Sequence, residues 1–167
     1  MKQKRIAGMT LMELLCALAV VLLVSAGMVL GVSLAVRSYE RSVAGSEAQV
    51  LCSTLETIVS DELRYAGTLK YDEGGKVVGF FSQNHPDADN QQSEFTTEGE
   101  GRVLLGGQKL LPNNAYPHGL RAAVELTDYD KATRIFTAVV TVTDRSGGTL
   151  AQTEFQVKQL NEPAEQT

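Results

Sequence analysis

Glu13 is the residue with the most distinctive chemistry in this chain, because it lies at the start of a long apolar segment. The 23 residues from 14 to 36 carry no charge. As an α-helix, such a segment spans roughly 35 Å, enough to cross the hydrocarbon core of a bilayer. A carboxylate at the edge of a membrane span is unfavourable unless a partner faces it. We therefore expect Glu13 to have a function that involves a counter-charge.

Other residues suited to catalysis are sparse. The only two histidines, His85 and His118, each lie beside a proline in a predicted loop. We expect both to be ordinary turn residues rather than metal ligands or acid–base catalysts. The sequence therefore gives no reason to expect an enzyme or a bound cofactor.

An acidic cluster, Asp87, Asp89 and Asn90, offers oxygen ligands of the kind that calcium takes. The glycine and the distal bidentate acid of a calcium-binding loop do not line up with this cluster. A solvated acidic loop is the favoured interpretation, and no metal site is predicted.

A short basic leader precedes the apolar segment and contains Lys2, Lys4 and Arg5. The leader ends in the sequence Gly8-Met9-Thr10-Leu11-Met12-Glu13. This stretch resembles the leader of type IV prepilins, which is basic and ends in glycine. In that family the glycine is followed by a hydrophobic residue, Thr-Leu, a variable residue, Glu and a long apolar helix. The resemblance covers residues 4 to about 36 in detail.

The resemblance implies a structural subunit of a type IV pilus-like or type II secretion-like filament. It implies that a prepilin peptidase cuts between Gly8 and Met9 and methylates the new amino group of Met9. Glu13 would then direct assembly by pairing with an amino terminus. The implied partners are other pilin or pseudopilin subunits, the cytoplasmic membrane, and the assembly platform protein and ATPase of the system. In this family some secretion pseudopilins hold calcium in a loop.

The sequence departs from common pilins in two ways. Met9 replaces the frequent phenylalanine, which is a tolerated variation. No proline occurs before Pro86, whereas major pilins often carry one in the helix, and this absence favours a minor pilin or pseudopilin over a major pilin. Gly27 and Gly31 form a small-xxx-small pattern suited to close helix contact. The pattern is common, so it adds little by itself.

The basic leader predicts that residues 1–8 stay cytoplasmic and that the chain after residue 36 lies outside, as a single-pass membrane protein. After assembly the domain would be part of a filament at the cell surface. One alternative is a secretory signal cleaved after Val24-Ser25-Ala26. Glu13 and the apolar residues beyond Ala26 count against it. Another alternative is a membrane-anchored extracellular binding module that does not assemble.

The charge balance argues against a broad nucleic-acid-binding surface. The chain has 15 basic and 20 acidic residues; without Lys2, Lys4 and Arg5, 12 basic residues remain, a formal balance of −8. We find no demonstrable nucleic-acid site. Cys16 and Cys52 would lie roughly 54 Å apart on one continuous helix, beyond disulfide reach, and are predicted to be small apolar core residues.

The predicted organisation is a leader (1–8), a transmembrane assembly helix (9–36), an amphipathic helix (37–67), an extracytoplasmic β domain (68–160) and a frayed tail (161–167). Apolar residues recur at helical spacing between 44 and 66, which predicts that one helix face packs on a sheet. Gly67 is predicted to cap the end of this helix. The stripe comprises Ala44, Ala48, Leu51, Leu55, Ile58, Val59, Leu63 and Ala66.

The predicted fold class is α+β, with the long helix packed on an antiparallel meander as in pilins. Alternating residues predict strands near 120–127, 135–142 and 151–157, and short connections imply antiparallel pairing. The segments 69–71 and 76–81 predict a hairpin, and 102–105 and 108–111 predict another. Residues 82–101 are predicted to be a long polar loop, and residues 112–114 and 117–119 to be turns.

Overall fold

One long helix and a set of short antiparallel sheets make up the structure, a computed structural model that describes residues 11–86 and 92–161. Helix α1 comprises Leu11–Arg64, 54 residues without a proline. The chain divides into two compact units, one ending at Ser42 and the other beginning at Val43. The second unit contains the amphipathic part of α1 and all the strands.

Eight strands follow the helix within the described residues. Two short 3₁₀ turns, Asn113–Ala115 and Pro117–Gly119, separate β5 from β6. The strands are β1 (Leu69–Tyr71), β2 (Val77–Phe80), β3 (Phe95–Thr97), β4 (Val103–Leu105), β5 (Gln108–Lys109), β6 (Arg121–Asp130), β7 (Ile135–Thr143) and β8 (Thr149–Lys158).

The strands form three antiparallel sheets, ordered β1-β2, β3-β4-β5 and β6-β7-β8. In the largest sheet Val124 pairs with Val140, and Val140 pairs with Thr153. Because side chains alternate across a strand, β7 is buried at every second residue from Phe136 to Val142. The α+β class and the carboxyl-terminal meander are therefore confirmed.

The core of the second unit lies between the helix stripe and the sheets. Leu55, Val59 and Leu63 are fully buried on α1, and Phe136 and Val140 are fully buried on β7. All five belong to one apolar cluster, which also contains residues of the two smaller sheets. The prediction that the stripe is a core face is confirmed.

The carboxyl-terminal segment closes the end of α1. Carbonyl groups at a helix end have no partner within the helix. Here the amide of Leu160 donates to the carbonyl of Arg64 at 2.8 Å, and the side-chain Nδ2 of Asn161 donates to the carbonyl of Tyr65 at 2.7 Å. Gln159 is almost fully buried, and its Nε2 donates to the carbonyl of Ala66 at 2.9 Å. We call residues 159–161 the carboxyl-terminal clasp.

This clasp explains one wrong prediction. The helix ends at Arg64, and Gly67 is not its C-cap, because side chains and amides from the far end of the chain satisfy the last carbonyls. The amide of Gly67 instead donates to the carbonyl of Phe81 at 2.9 Å, next to the β1–β2 hairpin. Asn161, predicted to begin a frayed tail, is part of the clasp.

Both predicted hairpins are present, β1–β2 and β4–β5. The prediction that residues 82–101 are loop throughout is wrong, because β3 lies within them and pairs with β4. Strand β6 also continues to Asp130, beyond the end predicted for it near residue 127. The two predicted turns form the 3₁₀ segments.

Candidate functional site

The amino-terminal half of α1 is an uncovered apolar surface. Sixteen large apolar side chains lie between Leu11 and Val36, and each is between 49% and 79% exposed. This is the one helix in the described residues that is long and apolar enough to cross a membrane, and its most apolar window has no buried residue. This half of the helix is compatible with a membrane anchor, and a signal sequence near the amino terminus would have the same length and composition.

Glu13 lies in the first turn of α1 and is exposed. Backbone amides at a helix start favour a carboxylate, so Glu13 also stabilises the helix locally. The predicted cleavage and methylation residues, Gly8 and Met9, lie outside the described residues.

Gly27 and Gly31 are four residues apart within α1, one above the other on one face. A Cβ placed on either glycine would meet no atom within 4 Å. Within the described part of the chain nothing packs against these glycines. Close contact with another helix, which the small-xxx-small pattern suggests, stays a prediction.

A buried carboxylate on α1, Glu62, anchors the segment that follows β2. Ser82 Oγ donates to Glu62 Oε2 at 2.6 Å, and Asn84 Nδ2 donates to Oε1 at 3.1 Å. His85 Nδ1 lies 3.1 Å from Oε1, and the His85 amide donates to Ser82 Oγ at 3.0 Å. We call these four residues the Glu62 anchor. Glu62 is only 7% exposed, so these hydrogen bonds replace the contacts with water that its side chain loses on burial.

The composition of the anchor, serine, histidine and glutamate, resembles that of a hydrolase triad, but its geometry does not. In a triad the serine hydroxyl bonds to the histidine. Here Ser82 bonds to the carboxylate and is only 1% exposed, so no substrate reaches it. The arrangement attaches a loop to the helix. One signal in the sequence could have identified Glu62, because it lies three residues after Val59, on the apolar stripe.

His118 makes a second contact with the helix. Its Nδ1 lies 2.6 Å from Glu47 Oε2, which joins the 3₁₀ turn Pro117–Gly119 to α1. His118 has a φ of 53°, a left-handed conformation that is uncommon for a residue with a side chain. Both histidines thus lie in turns, as predicted, and each also contacts a glutamate of α1.

No cluster of three or more His, Cys, Asp or Glu side chains suited to a metal occurs within residues 11–86 and 92–161. The acidic cluster of Asp87, Asp89 and Asn90 lies outside these residues. Calcium binding by this cluster therefore remains a sequence-based alternative to the predicted solvated loop.

Both cysteines are free thiols. Cys52 is buried, and its Sγ donates to the carbonyl of Val140 at 3.7 Å. Burial, and then the charge of Glu56, raise the pKa of this thiol, so it is a poor nucleophile. Cys52 is the core residue predicted. For Cys16 that prediction is wrong, because its side chain is exposed on the uncovered half of α1.

An apolar groove lies on the outer side of the second unit. Five residues of α1 form one wall, and three residues of the segment between β5 and β6 form the other. The volume of the groove is about 360 Å³, and its lining comprises Ser46, Glu47, Val50, Leu51 and Thr54, with Leu111, Ala115 and Pro117 opposite. We call it the lateral groove.

These features define an α+β protein whose long amino-terminal helix is apolar and uncovered in its first half and forms part of a folded domain in its second half. Comparison with protein-family models, with curated proteins and with solved structures found no significant match to this chain.

Proposed function

We propose that this chain is a structural subunit, a minor pilin or pseudopilin, of a type IV pilus-like or type II secretion-like filament. The observation that carries the proposal is the division of α1. Its first half exposes sixteen large apolar side chains, whereas its second half is built into a domain core. Such a helix needs lipid or other helices around its first half, and a filament subunit uses both in turn.

The proposed sequence of events begins in the cytoplasmic membrane, with residues 1–8 inside and the β domain outside. The prepilin peptidase cuts after Gly8 and methylates the amino group of Met9. An ATPase and an assembly platform then transfer the subunit from lipid into the filament. The role of this chain is structural and requires no reaction of its own.

Glu13 would control this transfer. A carboxylate that moves into an apolar bundle is strongly unfavourable unless a cation pairs with it. The amino group released by cleavage is a cation at the same end of the helix. Pairing Glu13 with the amino terminus of a neighbour would therefore stabilise one register between subunits relative to the others.

The decisive experiment compares Glu13→Gln with Glu40→Gln, a control that removes another exposed glutamate of the same helix. Glutamine keeps the size and hydrogen-bonding capacity of Glu13 but loses its charge. We expect Glu13→Gln to be inserted and cleaved yet to fail to enter filaments, and Glu40→Gln to assemble normally. Assembly of both variants at the wild-type level would favour the membrane-anchored binding module.

Processing is tested separately by intact mass and amino-terminal sequencing of membrane material. We expect a mature chain that begins with methylated Met9. A chain that begins at Gly27 would instead show a secretory signal, and an uncut chain in cells with active peptidase would overturn the proposal.

A further inference from the structure

Two exposed arginines lie at one end of the largest sheet. Arg121 begins β6 and pairs with Thr143 at the end of β7, and Arg145 follows in the β7–β8 turn. The 3₁₀ turn that leads into β6 contacts the first part of α1 within the second unit, because His118 binds Glu47. Both arginines therefore lie at the end of the folded domain where its part of α1 begins.

Two glycines allow these arginine side chains to lie against bare backbone. A Cβ at Gly101 would overlap the stem of Arg121, and a Cβ at Gly119 would overlap the guanidinium of Arg145. Both glycines have positive φ, a conformation that glycine adopts at little cost. Because Gly119 and Arg121 are two positions apart, the two arginines lie along the same short stretch of chain.

A third arginine adds positive charge to this stretch. Arg102 Nη1 donates to the carbonyl of Leu120 at 3.0 Å, and its guanidinium carbon lies 4.4 Å from the centre of the Tyr116 ring. Its buried Nε has no hydrogen-bond partner within the described residues. We call Arg102, Arg121 and Arg145 the arginine patch.

The charge of the arginine patch is only partly neutralised. None of the three arginines has an ion-pair partner within the described part of the chain. Asp144 and Glu100 lie nearby and offset part of the charge, whereas Glu98 is itself paired with Lys109 at 3.3 Å. A positive balance remains on a largely exposed surface, so an external anion is favoured there.

We propose that the arginine patch docks the folded domain on the phosphate groups of anionic lipids in the membrane that holds the same chain. This inference rests on the proposed function for the insertion of α1 in that membrane. Glu47 follows Val36, the last residue of the uncharged segment, by eleven positions, roughly 16 Å of helix. The headgroup layer covers about 5–7 Å of this distance. The remaining gap is comparable to the Debye length of about 8 Å, so the patch is within reach of the lipid charge.

The choice of lipid phosphate follows from chemistry and from connectivity. A guanidinium binds phosphate through two parallel hydrogen bonds, and phosphate has enough oxygens for more than one arginine. Membrane insertion brings headgroups to this end of the domain without a further partner. The whole chain has 15 basic and 20 acidic residues, so an anionic bilayer repels most of its surface and attracts the arginine patch. Docking would therefore orient the domain on the membrane before assembly.

Tryptophan quenching in vesicles tests the docking. The chain has no tryptophan, so one introduced residue reports only its own surroundings. Thr149→Trp places the probe at the start of β8, and Gln156→Trp places it about 23 Å further along the same strand; both positions are exposed. Full-length protein is reconstituted in phosphatidylcholine vesicles, with or without phosphatidylglycerol, that contain a lipid with a nitroxide on its headgroup. We expect phosphatidylglycerol to increase quenching at position 149 by about twofold or more and to leave position 156 unchanged.

Charge variants identify the source of this lipid dependence. Arg121→Gln combined with Arg145→Gln should abolish it, because each basic residue near an anionic surface contributes roughly fivefold to association. Arg121→Lys combined with Arg145→Lys keeps both charges and should retain most of it, which separates charge from packing. Lys131→Gln combined with Lys158→Gln removes two exposed cations from the other end of the sheet and should have no effect.

The outcomes distinguish this inference from the proposed function. Equal quenching of the Thr149→Trp probe in both kinds of vesicle would overturn the docking, and so would a lipid dependence that survives loss of both arginine charges. A rise in melting temperature with inorganic phosphate, without any lipid dependence of quenching, would assign a free anion to the patch and also overturn it. Failure of the chain to float with vesicles of either composition would refute membrane insertion and with it the proposed function. Flotation without docking would refute only the inference.

Discussion

Truncating a leucine of the helix stripe should strongly destabilise the folded domain. Leu55 and Leu63 are fully buried and lie two turns apart on one face of α1. Leucine to alanine removes three carbon atoms, worth about 2.4 kcal/mol at about 0.8 kcal/mol for each buried methylene. The cavity left behind adds to this loss, so we expect about 3–5 kcal/mol for Leu55→Ala.

Such a loss is a large part of the stability of a domain of this size, which is typically about 5–15 kcal/mol. The assay is urea unfolding of the soluble fragment that begins at Arg37, followed by circular dichroism. The matched control is Val50→Ala, which truncates an apolar residue of the same helix that is 66% exposed. The control should change the free energy of unfolding by less than about 0.5 kcal/mol.

Two results would refute this reasoning. If Leu55→Ala unfolds at the same urea concentration as wild type, the stripe is not the core of the isolated domain. If Val50→Ala is as destabilising as Leu55→Ala, then burial does not determine the loss in the free energy of unfolding. A change in the slope of unfolding with urea would instead show an altered unfolded or native state.

Three further predictions concern the rest of the domain. Glu62→Ala should cost about 1–3 kcal/mol in urea unfolding, because the buried hydroxyl of Ser82 loses its acceptor; a neutral effect would mean that the anchor is dispensable. Gly101→Ala should destabilise the domain more than Gly147→Ala. Both glycines have positive φ, but a Cβ at Gly101 would overlap Arg121, whereas a Cβ at Gly147 meets open space. Equal losses in the free energy of unfolding would contradict this packing. Burial raises the pKa of Tyr116 in the folded state above its ordinary value of about 10. The free energy of unfolding is therefore highest below about pH 10 and falls as the pH rises through the pKa of the folded state. Tyr116→Phe should therefore flatten the decline of urea midpoints above about pH 10, and an unchanged decline would exclude this residue as its source.

The sequence predicted the parts of the fold that have a local pattern. The stripe on α1 and the alternation along β6 and β7 each reflect a repeat that burial on one face imposes. These elements were placed correctly because their periodicity extends over many residues. The apolar half of α1 could be predicted for a similar reason, because its uncharged stretch also extends over many residues.

Prediction from the sequence failed where contacts between distant residues determine the structure. β3 has only three residues in a polar stretch, and it is a strand because β4 pairs with it. The end of α1 is fixed by the clasp, more than ninety residues further along the chain. The Glu62 anchor also depends on a loop that returns to the helix, and no local pattern shows that return.

The clasp makes the order of synthesis matter for folding. The bond from Asn161 to Tyr65 joins residues 96 positions apart, and closing so long a loop is entropically demanding. Contacts of this separation slow the folding of a domain. The helix end and the last strand are therefore completed together, once the chain has been made as far as residue 161. A truncated chain that lacks residues 159–161 would lose the donors to the carbonyls of Arg64, the last residue of α1, and of Tyr65 and Ala66, which follow it. Such a product would differ from the finished domain at the end of its helix, a difference that limited proteolysis of the two forms can detect.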